Sequence, residues 1–415
     1  MLDNGIRVLS EDVPGCHSVS LGVWVNNGSR HEPMALNGIS HFVEHMLFKG
    51  TERRTAQSVA REVDSVGGLL NGFTSREFSC YFVKILAEKL PMAVDLLGDM
   101  ICHSRFSPDD IEKERRVILQ EIAMIEDSPE DLIHDQFTHA FWAGHPLGKP
   151  VIGTRSSVEG VDRNQLLAFL DDRYVGDNLC VVAAGSVNHD VLANLVAKFF
   201  DSRPVSGSKQ VDLAPVVTRK VSVTPRELEQ AQICLGVEGL PQNHPDRYGT
   251  YLLNTILGGN MSSRLFQKIR EELGLAYSVY SYHHNHSDSG AFIVSAGVAA
   301  EEAPLVVRTI LDEMTSMRKA MVTPEELQSA KDYLKGSMLL SMESTDNRMS
   351  RLAKNELFLR DAGTSLEESR EMIDAVTVET VQRLAVRLFV NETLNIHVTG
   401  RVDPADFRNS ELLLG

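Results

Sequence analysis

Ile39, Phe42, Val43, Met46 and Leu47 fall at i, i+3, i+4, i+7 and i+8, the spacing of one apolar helix face. Asn37 stands where an N-cap is wanted, and Gly50 follows the last turn. A second helix is predicted from Ser107-Pro108-Asp109-Asp110, with a capping serine, a proline at the first helical position and two acids at the positive end. Its mainly apolar seam is Ile111, Arg115, Ile118, Ile122 and Ile125, and it runs to Asp127. Short β-branched runs predict strands at Val19–Val25, Ser79–Val83 and Leu179–Ala184, and again at Ala231–Val237, Ala291–Ala296 and Leu394–Thr399. Strands and long helices follow one another irregularly. That order points to the α+β class.

The pattern occurs twice. Leu21-Gly22-Val23 corresponds to Leu235-Gly236-Val237, Ser107-Pro108-Asp109-Asp110 to Thr323-Pro324-Glu325-Glu326, and Val161–Val187 to Val376–Val402. The offset is nearly the same each time, as in a duplicated unit. The sequence therefore predicts two homologous domains, 1–201 and 228–415, joined by a linker at 202–227 that bears Pro, Ser, Gly and Lys.

The polar side of the first helix carries the chemistry. His41-Phe42-Val43-Glu44-His45 reads H-x-x-E-H, the inverted form of a zinc-protease motif. Histidines four apart on a helix stand one above the other and can reach one metal ion. Glu44 lies beside them, placed to touch a metal-bound water without binding the metal. A zinc site needs a third protein ligand. Glu114 and Glu121 lie two turns apart on the second helix, and spacing alone does not choose between them. At the duplication offset His41, Glu44 and His45 fall on Thr255, Gly258 and Gly259, and Glu121 falls near Ser337. Metal chemistry thus belongs to the first half alone.

The run from Asn37 to Thr51, NGISHFVEHMLFKGT, resembles the zinc motif of the pitrilysin family of metallopeptidases, and in particular bacterial relatives of the mitochondrial processing peptidase β-subunit. Glu114 to Asp131, Gly144 to Thr154 and Gly258 to Ser281 resemble further family signatures, so the likeness covers essentially the whole chain. It implies two domains, each a mainly antiparallel sheet with helices packed on one face. It implies a zinc-dependent endopeptidase with one Zn2+ per chain on His41, His45 and Glu121, and Glu114 as a nearby acid. Glu44 would be the general base on a zinc-bound water. Tyr277 and Arg264, by the same resemblance, reach a zinc site from an opposing domain. Asn71, Gly72 and Phe73 lie on a sheet edge along which an extended peptide adds as a strand. Gly72 departs from the alanine usual in the family. Asp131 and Asp135 match acids that contact substrate arginine, with solvated helix charges an equal reading. The resemblance further implies a homodimer enclosing a chamber that admits unfolded peptides or presequence-like segments. The rival readings are a noncatalytic assembly subunit, or a catalytic subunit that needs a separate partner chain.

Composition narrows this further. The 415 residues are 43% hydrophobic and 24% charged, ordinary for a globular protein. A net charge of −16 argues against nucleic acid and anionic membranes as partners. No apolar run approaches a membrane span, and no signal or transit peptide is visible, so a cytoplasmic location is expected. The five cysteines are scattered, without C-x-x-C, and are read as reduced thiols. His283-His284-Asn285-His286 precedes Asp288-Ser289-Gly290 and is read as a polar loop.

Overall fold

The computed structural model describes residues 1–200, 203–207, 213–359, 365–408 and 412–415. Its strands form two five-stranded sheets. The first takes β1 (Arg7–Asp12), β2 (Ser18–Val25), β3 (Leu69–Thr74), β4 (Ser79–Leu86) and β5 (Leu179–Gly185) in the order β1-β5-β2-β4-β3. The second takes β6 (Lys220–Pro225), β7 (Gln230–Glu238), β8 (Ala276–Asn285), β9 (Gly290–Ala299) and β10 (Asn395–Gly400) in the order β6-β10-β7-β9-β8. In each sheet one edge pairing is parallel and the others are antiparallel. The two orders superpose strand for strand, which is the structural counterpart of the duplication. The mixed, mainly antiparallel α+β class is as expected.

The helices used below are α1 (Ile39–Leu47), α2 (Pro108–Asp127), α3 (Pro129–Phe141), α4 (Arg247–Leu257), α5 (Pro324–Ser341) and α6 (Thr345–Phe358). Most helices lie on one face of their sheet. In the first sheet Val19, Leu21, Val23 and Val25 of β2 meet Ile39, Phe42, Val43, Met46 and Leu47 of α1 and Ile118 and Ile122 of α2. The opposite face is covered as well: Trp24, Cys80, Cys180, Val182 and Ala184 pack on Met349 and Ala353 of α6. In the second sheet Cys234, Ala291 and Ile293 pack likewise on Ile133, Phe137 and Phe141 of α3. Both faces of the central strands are therefore buried, which is why β5 reads as an unbroken apolar run rather than an alternating one.

These covering helices make the compact units discontinuous. One unit is 1–124, 149–213 and 341–357; the other is 125–148, 214–340 and 358–415. They do not coincide with contiguous domains at 1–201 and 228–415. The expected linker is also only partly a linker. Residues 202 and 208–212 lie outside the described residues, while Lys220–Pro225 is strand β6, paired in parallel with β10. Among the described residues no helix is long and apolar enough to cross a membrane.

Candidate metal centre

The start of α1 differs from the expected one. Its N-cap is Gly38 at φ +92°, not Asn37. A Cβ on Gly38 would sit 2.7 Å from Gly153 Cα and from Ile152 O, so only glycine fits this close left-handed turn. Gly38 has no side chain to cap the helix, and Glu32 reaches in instead. Its Oε2 accepts from Gly38 N at 2.7 Å and Asn37 Nδ2 at 3.1 Å, and its Oε1 accepts from Ser40 N at 2.9 Å. The carboxylate satisfies free donors at the helix start and meets the positive end of the dipole. Burial pushes its pKa up to about 7, opposed by those hydrogen bonds. Ser107 caps α2 as expected, accepting from Asp110 N at 3.2 Å.

With both helices fixed, a donor cluster forms. His41 Nε2 and His45 Nε2 are 3.3 Å apart. Glu121 Oε2 stands 3.8 Å from the first and 3.5 Å from the second. Among the described residues this is the one His/Cys/Asp/Glu group that could hold a metal ion. Donors roughly 2.0–2.2 Å from a tetrahedral zinc stand roughly 3.3–3.6 Å from one another; two of the separations fall in that range and the His41–Glu121 one, at 3.8 Å, is slightly longer. Burial, helped by neighbouring His45, lowers the His41 pKa to about 3. The neutral imidazole is the form a metal needs.

The geometry separates the two candidate glutamates. Glu114 is buried behind His45, accepting from its Nδ1 at 3.0 Å, and takes Lys49 Nζ at 2.7 Å on its other oxygen. Such a contact fixes a ligating histidine's tautomer and ring orientation. Glu121 is the one that faces both Nε2 atoms. Glu44 is half-buried. Its Oε2 accepts from Thr74 Oγ1 at 2.5 Å. Burial raises its pKa, while the Thr74 hydrogen bond and His45 lower it.

Asn71, Gly72 and Phe73 lie on β3, the edge strand of the first sheet. The remaining expected residues belong to the other unit. Arg264 is held by Glu326 through Nε at 2.7 Å and Nη2 at 2.8 Å. Tyr277 is 80% exposed, with the Arg270 guanidinium 5.0 Å from its ring centre. Asp131 Oδ2 accepts from Ser128 Oγ at the start of α3. Asp131 and Asp135 flank His134, which is bonded to Tyr282 and Tyr280. The expected polar loop at His283–His286 is a correction. His283 and His284 are strand residues of β8, paired with Phe292 and Ala291. His283 packs edge-on against Phe292 at 4.8 Å, and burial lowers its pKa to about 4. The strand continues because alternate faces accept aromatic rings, and that packing outweighs the local polarity.

Residues 7–155 match the model of the insulinase peptidase family M16, and residues 160–334 match that of the M16 peptidase inactive domain. The chain belongs to peptidase family M16. Among its M16 relatives, the uncharacterized zinc protease YmxG of Bacillus subtilis is 40% identical over 389 residues, 94% of this chain and 95% of that one. An uncharacterized zinc protease of Mycobacterium tuberculosis is 41% identical over 397 residues, 93% of this chain and 89% of that one. The crystal structure of a protease from Helicobacter pylori shares the fold, with a TM-score of 0.90 at 22% identity over 96% of this chain and 98% of that one. The first match holds β1 to β4 of the first sheet, and the second holds β5 of that sheet and β6 to β9 of the second. The donor cluster lies within the first, and the inactive-domain match covers α4 and its neighbours. The pitrilysin-type family expectation is met.

Sequence reasoning passed over Glu32, Lys49 and Thr74. Lys49 and Thr74 lie inside the motif segments, but their partners are distant in sequence. Glu32 had one legible signal: an acid shortly before a helix whose cap is glycine.

Proposed function

We propose that this M16 chain is a zinc-dependent endopeptidase acting on extended, unfolded peptide. The observation that carries the proposal is the convergence of His41 Nε2, His45 Nε2 and Glu121 Oε2, with Glu44 on the same helix. His41, His45 and Glu121 would hold one zinc ion, and Glu114 would orient His45. When bound, zinc would acidify water and polarise a carbonyl. Glu44 takes the proton of the attacking water and later passes it to the leaving amine. Its buried setting holds its carboxyl above the ordinary range, which suits a group that must both accept and return a proton. The free edge of β3 offers backbone groups to a peptide lying beside Asn71, Gly72 and Phe73, a mode of recognition with little sequence demand. The names of the relatives support zinc and proteolysis.

The proposal includes a homodimer in which Tyr277 of one copy serves the metal site of the other, donating to the developing oxyanion. Arg264 would have to give up its Glu326 pair to touch substrate, so Tyr277→Phe is the cleaner probe. Co-expressed Glu44→Gln and Tyr277→Phe chains should regain activity in mixed dimers, since one site would then be whole. Verified mixed dimers without recovery would refute sharing. A cytoplasmic location is part of the proposal. A noncatalytic assembly role fits less well, because the donor set is complete.

The direct test combines zinc analysis of purified protein with a peptide-cleavage assay. Glu44→Gln should keep its zinc and lose activity by roughly 10²–10⁴-fold. Near-normal turnover in the zinc-loaded variant would remove Glu44 from its role.

A further inference from the structure

We infer that Thr74 is a positioning residue for Glu44, tying the base to the strand beside which substrate would lie. The inference rests on the zinc-peptidase reading. Thr74 is the last residue of β3, paired with Ser79 of β4. Its hydroxyl proton goes to Glu44 Oε2 at 2.5 Å, across thirty residues of sequence. Among the described residues Glu44 Oε1 takes no hydrogen bond. The terminal torsion of a glutamate is broad and nearly two-fold. A donor fixed on one oxygen therefore fixes where the other points. A short bond to an ionised oxygen is also of the strong, charge-assisted kind. Thr74 thus leaves one carboxylate oxygen committed and the other free for the attacking water.

The location of Thr74 gives this bond a second consequence. β3 has β4 on one side, from Leu69↔Lys84 to Thr74↔Ser79, and among the described residues no strand on the other. An edge strand gains order when a further strand pairs with it. A peptide added along β3 would steady Thr74 and, through its hydroxyl, the base. Substrate bound in register then improves the aim of Glu44, while peptide held by other contacts does not. Such an effect falls on turnover more than on affinity.

The test uses full-length zinc-loaded protein and a mixture of unstructured quenched-fluorescent peptides. Thr74→Val keeps the shape and suits a strand, but has no proton to give. It should keep its zinc content and melting behaviour and lose roughly 10–100-fold in kcat. KM should stay within about twofold of wild type. Thr74→Ser should restore most of kcat, because the donor returns. In a Glu44→Gln background Thr74→Val should cost little more, since two residues that act as one do not add. Unchanged kcat in Thr74→Val, or a full further loss in the Glu44→Gln background, would overturn the inference. So would Thr74→Ser as poor as Thr74→Val. Wild-type protein without zinc-dependent cleavage would sink the peptidase reading and this inference together. Wild-type cleavage that ignores Thr74→Val would sink this inference alone.

Discussion

The two sheets share one strand order, and the helix that enters each after its second strand shows what separates the half that carries the donor cluster from the half that does not. In the first, α1 presents His41, Glu44 and His45 on its polar side, and Glu44 has room to reach Thr74 of β3. In the second, α4 presents no histidine or acid: Thr255, which the sequence offset sets against His41, turns its hydroxyl back to Tyr251 O at 2.9 Å. The same offset sets Gly258 against Glu44, but in the fold Gly258 is the C-cap of α4, the place Phe48 takes at the end of α1. A Cβ on Gly258 would lie 2.7 Å from Ser281 N and Oγ of β8. The second half lacks more than the right residue types. The end of α4 lies so close to β8 that a side chain at Gly258 has no space. The scaffold alone does not make a metal site.

The strongest way to break this comparison is to ask whether the first half depends on the one glutamate facing both histidines. Glu121→Gln should weaken zinc binding by more than about 100-fold, because it removes a charged ligand. Glu114→Gln should weaken it by roughly 10–100-fold, the usual effect of a residue acting through a ligand. Competitive metal titration of both variants decides it, and the reverse order would exchange their roles.

The next effect concerns Glu32, at the entrance to α1. Its folded pKa is raised by burial from the ordinary 4.5 to about 7. Between those values the folded state binds a proton that the unfolded state has released. This group's contribution to stability therefore falls as pH rises from about 4.5 to about 7, by at most about 1.4 kcal/mol per pH unit. Below that window both states are protonated, and above it both are ionised. Denaturant unfolding at several pH values should show this slope in wild type and not in Glu32→Gln. Equal slopes in the two proteins would mean the carboxylate stays ionised throughout.

A smaller effect tests the half without the donor cluster. Gly258→Ala must push against backbone at Ser281 and should cost about 1–3 kcal/mol, in the range of overpacked sites. A thermal melt measures it. No change would show that α4 can retreat, and that packing does not bar a side chain there.

Much of this was legible before any coordinates. The stripe of α1 and the cap of α2 were readable because each is a local pattern with a period. The motif histidines followed from helix geometry, and the duplication from matching segments. The second face of each sheet was not legible, since α3 and α6 each cover a sheet whose other strands are distant in sequence. An unbroken apolar β5 was a hint of that cover. Choosing Glu121 by geometry needed the approach of α2 to α1, which spacing does not encode. The run at His283–His286 misled because local polarity argued for a turn. Tertiary packing on Phe292 overrode it, as context commonly overrides propensity in strands.

The smallest expected effect sharpens the same contrast at β3. Gly72 stands where the family usually has alanine. A Cβ there would lie 3.1 Å from Phe48 Cε2 and Cζ and 3.3 Å from Cys80 O. In the second half the obstacle at Gly258 is backbone. Here it is chiefly the far end of a side chain, which can yield by a few tenths of an ångström. Alanine also removes conformational freedom from the unfolded chain, a gain of about 0.4–1 kcal/mol. Crowding and gain are of similar size, so Gly72→Ala should change stability by less than about 1 kcal/mol and leave zinc content and kcat near wild type. A double variant with Phe48→Leu, which trims the ring, should show whether the two positions couple. If Gly72→Ala alone costs more than about 2 kcal/mol, the Phe48 ring is as immovable as backbone. The first half would then be packed as tightly beside its chemistry as the second half is without any.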